Sequence, residues 1–290
     1  MNRTFLVFKH EFIRAIRRVG YLIMTLIVPL GVLAAIGVFA LTLDVPIASL
    51  PVMDTGPNLG NAIVPGVFSL LLALALMLGS VSLIGGLAEE KESRLIEVLF
   101  SSVSIRQLLL GKVLALGTAG LLQVLIWVVS MPLLLNLAAS TIGGFLTTIV
   151  VPSSFVVLGI VYFVLGYLLF SVFSIGLGAI SSSATEGGQL SSIYTLTSFI
   201  PLWFFALLSF FPDSPVWVVL SIFPVTAPIQ VMVRLGLSGV PLWQILTSIG
   251  VLIVSITVGM IVAIKVFRLY MLMSGKRPSL REIAQALREE

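Results

Sequence analysis

One uncharged stretch decides the class of this protein: residues 113–185, VLALGTAGLLQVLIWVVSMPLLLNLAASTIGGFLTTIVVPSSFVVLGIVYFVLGYLLFSVFSIGLGAISSSAT. An α-helix needs about 20 apolar residues to cross the hydrocarbon core of a bilayer, so the stretch has room for two crossings. Serine, threonine, glycine and proline gather at 138–154 and mark the connection between them. The stretch therefore predicts two transmembrane helices, at about 105–137 and 155–181.

The composition of the whole chain is typical of a membrane protein. Of its 290 residues, 59% are hydrophobic and only 10% are charged, and the mean hydropathy is +1.19. An ordinary soluble domain carries about 25% charged residues. The absence of cysteine and the presence of a single histidine, His10, exclude disulfides, Cys-ligated metal and multi-histidine metal sites. A net charge of +4 spread over such a chain is not a basic stripe, so we expect no nucleic-acid partner.

Further apolar runs complete the prediction of an all-α integral membrane protein with six transmembrane helices. The approximate spans are 20–43, 63–87, 105–137, 155–181, 190–211 and 242–267. Between the last two spans, residues 214–233 are uncharged but contain three prolines, and proline interrupts a helix. This segment predicts a re-entrant or surface-lying pair of short helices on the outer side.

The basic residues predict the orientation. They gather before the first span, in the loop at 88–112 and after the last span, and Arg234 is the exception. The positive-inside rule therefore predicts a multi-pass protein of the cytoplasmic (inner or plasma) membrane with both termini in the cytoplasm. The chain divides into an interfacial segment (1–19), a six-span membrane domain (20–268) and a cytoplasmic tail helix (269–290).

The interfacial segment has the pattern of an amphipathic helix. Phe5, Phe8 and Phe12 fall on one side of a helical wheel, and most of the basic residues fall on the other. Such a helix lies on an anionic leaflet, which makes membrane lipid an expected partner. The alternative is a basic flank that only orients the first span.

The cytoplasmic loop, GLAEEKESRLIEVLFSSVSIRQLLLGK at 86–112, carries the densest charge in the chain. Four acids and two bases lie within 89–97, and Glu90 precedes Arg94 by four residues, the favourable order for a helical ion pair. An apolar stripe lies beside them and consists of Leu95, Val98 and Leu99. The pattern predicts a short amphipathic helix at about 90–100, with a solvated connecting loop as the alternative. A capping box, S-x-x-Q at 104–107, predicts the start of the third span.

The same loop resembles the signature region of ABC type-2 transporter permeases, especially their sodium- and drug-efflux branch. An EEKE-x-x-x-x-E-x-L-x-S run matches at 89–101, and a Q-L-L-x-G-K run matches at 107–112. Further matches follow in the family's order at 185–204, 223–244 and 275–289. In larger members a big extracellular domain separates the first two spans, whereas here only about 44–61 connects them.

The resemblance implies the transmembrane permease subunit of an ATP-driven exporter. Its expected partners are two ATPase subunits and a second permease, either a copy of this chain or a homologue. ATP and Mg²⁺ would bind to the partner ATPase, with no cofactor on this chain. The loop helix would be the coupling helix that contacts the ATPase through Glu90, Glu92, Arg94, Leu95, Glu97, Val98, Leu99 and Ser101. Glu186 is a possible second contact, and the interfacial segment would be the elbow helix of that fold.

The sequence predicts that this chain is not itself an ATPase. Both Gly-Lys pairs lack the leading glycine and the following Ser or Thr that a P-loop requires. The alternative function is an ATP-independent secondary carrier or channel. Such carriers usually place ionisable groups at the membrane midplane, and the middles of the predicted spans hold no Asp, Glu or His. Family members move sodium, drugs, peptides, lipids or glycans, and spans this poor in charge favour an apolar or amphiphilic cargo.

Some small and polar residues within the spans have two interpretations each. The pairs Ala75–Gly79, Ser82–Gly86 and Ser174–Gly178 indicate close helix packing, either within one chain or across a dimer. Gln123 is typical of an interhelical hydrogen bond, and contact with the substrate is the alternative.

Single-cysteine labelling tests the predicted orientation, because the chain has no native cysteine. A cysteine at Ser93 or Glu290 should react with an impermeant maleimide only after the membrane is permeabilised. A cysteine at Asp54 or Asp213 should react in intact cells. Labelling of position 93 or 290 in intact cells would contradict the six-span orientation.

Overall fold

The computed structural model describes residues 3–42, 59–92, 104–142, 153–181, 183–211, 213–237 and 239–272. Within these ranges all regular secondary structure is helical, which confirms the predicted all-α class. The helices are α1 (Arg3–Arg17), α2 (Val19–Thr42), α3 (Leu59–Glu92), α4 (Ile105–Ile142), α5 (Ser153–Ile180), α6 (Ala184–Ser198), α7 (Ile200–Trp203), α8 (Phe205–Phe210), α9 (Pro215–Ile222), α10 (Ala227–Leu237) and α11 (Leu242–Leu272).

Four of the described helices are long and apolar enough to cross a membrane. Their apolar parts are Pro65–Leu87 in α3, Gln107–Trp127 in α4, Phe155–Gly178 in α5 and Leu242–Val266 in α11. They coincide with four of the six predicted spans. α2, which has 24 residues and no charged side chain, covers the first predicted span, and its crossing stays a prediction. α11 continues to Leu272, and the rest of the predicted tail helix lies outside the described residues.

The fifth predicted span, 190–211, is a broken helix rather than a continuous one. α6 ends at Ser198, and the chain then forms the short helices α7 and α8 with interruptions at Phe199 and Phe204. Pro201 lies in the first turn of α7, where its missing N–H group is tolerated. Within one long helix the same proline would remove a backbone hydrogen bond and clash with the preceding turn.

The proline-rich segment before α11 forms two short helices, as expected. α9 ends at Ile222 and α10 begins at Ala227, with a turn at 223–226 between them. The Thr226 hydroxyl donates a hydrogen bond of 2.7 Å to the carbonyl of Leu220, which stabilises the turn. The two-helix prediction is confirmed, and the depth of the pair in the membrane stays a prediction.

The core forms around α5, which is apolar on all sides. Tyr162, Phe163 and Phe170 are among its fully buried side chains, whereas Val157 on another face is exposed. α3 and α4 pack against one side of α5 through glycines. A Cβ atom at Gly79 would lie 2.8 Å from the Tyr167 ring, and one at Gly117 would lie 2.7 Å from it. The predicted small-residue pair Ala75–Gly79 therefore serves packing within the chain.

The Tyr167 contact predicts that two glycine-to-alanine changes differ in their effect on thermal stability. Gly117→Ala should lower the thermal midpoint of the detergent-purified protein, because overpacking of a core costs about 1–3 kcal/mol. Gly85→Ala is the matched control, because a Cβ atom there meets nothing within 4 Å. The control should leave the midpoint unchanged or raise it, since alanine favours a helix over glycine by about 1 kcal/mol. Equal midpoints for the two variants would contradict the proposed packing.

Candidate functional site

The predicted ATPase-contact residues divide between described and undescribed parts of the chain. α3 is continuous to Glu92, so Glu90 and Glu92 lie in its last turn instead of opening a separate helix. The other predicted contacts, Arg94, Leu95, Glu97, Val98, Leu99 and Ser101, lie outside the described residues. Their role in contacting an ATPase stays a prediction.

Glu186 lies at the start of α6. Its backbone N–H donates a hydrogen bond of 3.2 Å to the hydroxyl of Ser183, which caps the helix. A carboxylate in the first turn interacts favourably with the helix dipole. Glu186 therefore has a local structural role, and its contact with an ATPase stays a prediction.

The Q-L-L-x-G-K motif forms the beginning of α4. Ser104 and Gln107 exchange two hydrogen bonds of 3.3 Å, from each backbone N–H to the other side chain. This confirms the predicted capping box, which satisfies two of the N–H groups that a helix start leaves unpaired. Leu108 and Leu109, the next two residues, are buried in the protein.

Gly111 of the motif allows α1 to approach α4 closely. A Cβ atom at this position would lie 2.7 Å from the Val7 side chain and 3.2 Å from the backbone carbonyl oxygen of Thr4. A larger residue would push the two helices apart. α1 therefore does not rest on lipid alone, because one of its faces packs against the start of α4.

Lys112, the last residue of the motif, holds α1 through an ion pair. Its Nζ lies 3.4 Å from the Oε1 of Glu11, and only 3% of its side chain is exposed. Arg14 approaches the same carboxylate oxygen at 3.6 Å, but its side chain is 55% exposed. Sequence reasoning did not select Glu11, although it is the only acidic residue before Asp44 and stands among several basic ones.

The other faces of α1 have the predicted amphipathic character. The rings of Phe5, Phe8 and Phe12 stack in a row, with centroids 6.0 and 5.7 Å apart. Phe5 is 52% exposed, as expected for an aromatic side chain that faces the interface of a bilayer. The helix thus carries a row of stacked aromatic rings, a basic face and a third face that packs against α4, and its contact with lipid stays a prediction.

A cavity of about 410 Å³ lies between the α1–α2 junction, α3 and α4. We call it the amphipathic cavity, because its two ends differ in polarity. One end is lined by Glu11, Arg14, Arg18 and Lys112, and the rest is lined mainly by small and apolar residues of α3 and α4. Two hydrogen bonds hold α2 beside it: Tyr21 donates to the carbonyl of Ala119 at 2.9 Å, and Trp127 donates to that of Thr25 at 3.0 Å.

Arg234, the exception to the charge bias, is buried where α9, α10 and α11 meet. Its Nη1 donates hydrogen bonds to Ser221 at 3.1 Å and to Gln244 at 2.7 Å. The carboxylate of Asp213 also acts on it electrostatically. Arg234 therefore ties the pair of short helices to the last long helix, a role that its position in the sequence did not reveal.

The buried ion pair predicts a non-additive pattern of stability. Glu11→Gln alone should destabilise the detergent-purified protein by about 3 kcal/mol, because it removes the carboxylate that pairs with the buried Lys112. Lys112→Met alone should cost less, because Arg14 still pairs with that carboxylate. The Glu11→Gln/Lys112→Met double variant should recover much of the loss caused by Glu11→Gln. Thermal unfolding measures the stability, and tryptic cleavage after Arg17 measures the release of α1.

Arg14→Gln is the control for this experiment, because it breaks only the exposed pair with Glu11. Exposed ion pairs are worth about 0–1 kcal/mol, so its effect should be small. Additive losses in the double variant would contradict a direct interaction between Glu11 and Lys112.

Comparison with known proteins agrees with this architecture. The family model described as "ABC-2 family transporter protein" matches residues 42–265, which include α3 to α10 and most of α11. The uncharacterized protein MJ1024 of Methanocaldococcus jannaschii is 30% identical over 228 residues, which cover 78% of this chain and 54% of that protein. The uncharacterized protein YhaP of Bacillus subtilis is 30% identical over 208 residues, which cover 69% of this chain and 49% of that protein. The chain thus spans about half the length of these relatives. Because the family match extends over most of the chain, the protein belongs to the ABC-2 family of transporter proteins.

Proposed function

We propose that this chain is the transmembrane permease subunit of an ABC exporter and moves its substrate out across the cytoplasmic membrane. Membership of the family implies a role as the membrane component of a transporter. In the proposal, a separate ATPase subunit binds ATP and Mg²⁺ and hydrolyses the ATP, and a second permease, identical or homologous, completes the pathway. An ATP-independent carrier or channel is the alternative that the experiment below distinguishes.

The observation that carries the proposal is the shape of α3. Its apolar part ends at Leu87, and the same helix continues to Glu92. At a rise of 1.5 Å per residue, this extension takes the helix about 7 Å beyond its apolar part. In the proposal, this extension carries the charged end of α3, Glu89 to Glu92, out of the membrane on the cytoplasmic side. A partner protein that binds there would act directly on a transmembrane helix.

Packing around α3 supports transmission of such a movement into the membrane. The side chain of Leu87 is fully buried, as are those of Leu83 and Leu76 further along the same helix. A displacement of the charged end would therefore displace the core around α5, because closely packed interiors deform little.

The start of α4 supports the same mechanism. The predicted coupling segment joins Glu92, the last residue of α3, to Ser104, which caps α4. α4 in turn holds α1 through Gly111 and Lys112. A force on the loop would therefore reach three helices together. In this mechanism ATP binding and hydrolysis on the partner would move α3, α4 and α1 as one group.

The apolar surface of α11 supports assembly with a second permease. Only 17% of its most apolar part is buried within the chain, although the helix is apolar along its length. Ile253, Val254 and Val258 are among its exposed side chains. In the proposal lipid and the second permease share this surface.

Leu99→Asp tests the proposed coupling. The change would place a charge on the apolar stripe of the predicted coupling helix, and buried apolar anchors carry most of the binding energy at interfaces. We expect the variant to insert normally but to lose both the co-purifying P-loop ATPase and ATP-dependent transport. Quantitative mass spectrometry of the complex purified from native membranes measures the ATPase, and inverted vesicles measure the transport.

Glu92→Ala is the control for this test. A charge at the rim of an interface is worth about 0–1 kcal/mol, so the control should reduce ATPase recovery by less than about fivefold. Normal ATPase recovery and transport in Leu99→Asp would show that the loop is a solvated connector. Transport that continues after ATP depletion would support the carrier or channel.

A further inference from the structure

The amphipathic cavity has the form of a slot that runs along α3 and α4. The residues that line it from α4 recur at helical spacing from Lys112 to Gln123, and those from α3 recur from Ala75 to Gly86. Each set extends over twelve positions, a rise of about 16 Å along the helix. The slot is therefore long and narrow, with its axis along the two helices.

Small side chains leave the slot open between α3 and α4. Ala75, Gly79 and Ser82 line it from α3, and Ala119 and Gly120 line it from α4. Larger residues on these faces would fill the space between the two helices. Because the walls are predominantly apolar, this part of the cavity suits a hydrocarbon chain better than a hydrated solute.

One buried polar group points to a ligand inside the slot. Gln123 lines the cavity and is only 4% exposed, yet its Nε2 has no hydrogen-bond partner among the described residues. A buried amide without a partner is costly. A ligand oxygen at this depth would accept the hydrogen bond and remove that cost.

The charged end of the cavity favours an anion. Arg14, Arg18 and Lys112 line it together with a single carboxylate, that of Glu11. Basic residues therefore outnumber acidic ones among the residues that line the cavity. Arg14 and Arg18 are exposed and lie at the end of α1, the helix that the aromatic row directs toward the interface of the bilayer.

We propose that the amphipathic cavity binds an anionic phospholipid from the leaflet that holds α1. The phosphate lies against Arg14 and Arg18, the glycerol ester region enters the slot so that Gln123 donates to an ester oxygen, and one acyl chain extends onward from there. The lipid would thereby join α1, α2, α3 and α4, the helices around the predicted coupling segment. This site does not depend on ATP coupling and would exist in a carrier or channel as well.

Native mass spectrometry of the detergent-purified full-length protein tests the proposal with three probes. They are phosphatidylglycerol, phosphatidylcholine with the same acyl chains, and glycerol 3-phosphate. We expect one tightly retained phosphatidylglycerol, at least about fivefold weaker retention of phosphatidylcholine, and no retention of glycerol 3-phosphate. One basic residue near the headgroup strengthens the binding of an anionic lipid by about fivefold. Arg14→Gln and Arg18→Gln should therefore each lower the retention of phosphatidylglycerol by about that factor.

Arg17→Gln is the matched control, because Arg17 is an exposed base at the end of the same helix and does not line the cavity. It should change retention by less than about twofold. If it weakens binding as much as Arg14→Gln does, the helix attracts anionic lipid only through its overall charge and the site is refuted. Equal retention of the two phospholipids would also refute it, and strong retention of glycerol 3-phosphate would assign the charged end to a soluble phosphate instead.

Gln123→Leu tests the slot separately from the charged end. The change conserves size and removes the buried amide, so the folded protein should be preserved. It should lower the retention of both phospholipids by about fivefold, which corresponds to the loss of one hydrogen bond. The preference for phosphatidylglycerol over phosphatidylcholine should stay unchanged. Unaltered retention in this variant would show that no ester oxygen of the lipid reaches Gln123, which would refute the proposed position of the lipid in the slot.

Discussion

The close approach of helices at glycine governs the architecture of this protein. In a bilayer the hydrophobic effect does not drive helices together, because lipid tails are as apolar as the side chains. Association then depends on packing and on a few polar contacts. Tyr167 of α5 illustrates the point, since its ring lies where Gly79 of α3 and Gly117 of α4 leave room for it.

Polar contacts supplement the packing where the helices meet. The hydroxyls of Ser174 in α5 and Tyr194 in α6 lie 2.9 Å apart, which joins the broken helical segment to the core. Arg234 has the same effect at the opposite end of the molecule through Ser221 and Gln244. Each polar group is costly to bury alone and stabilises a specific arrangement once it is paired. The positions of the short helices depend on such pairs as well as on apolar packing.

Contacts with α1 explain two residues of the Q-L-L-x-G-K motif, Gly111 and Lys112. Gln107 starts the helix, Gly111 admits the α1 backbone, and Lys112 binds Glu11. These roles all concern the joint between an interfacial helix and a membrane helix. That joint adjoins both the predicted coupling segment and the amphipathic cavity. A change in the lipid or in a partner protein would therefore act on the same group of helices.

Local sequence patterns determined the helical class, four spans, the capping box at Ser104 and the break between α9 and α10. These features depend on hydropathy, helical periodicity and proline, which act over about 20 residues or fewer. The motif at 107–112 likewise indicated the family that the comparison then established. The pairing of Glu11 with Lys112, the partners of Arg234 and the slot between α3 and α4 were decided only by the tertiary structure. They depend on how helices are rotated and how far apart they pack, and those quantities arise from contacts between residues far apart in the chain.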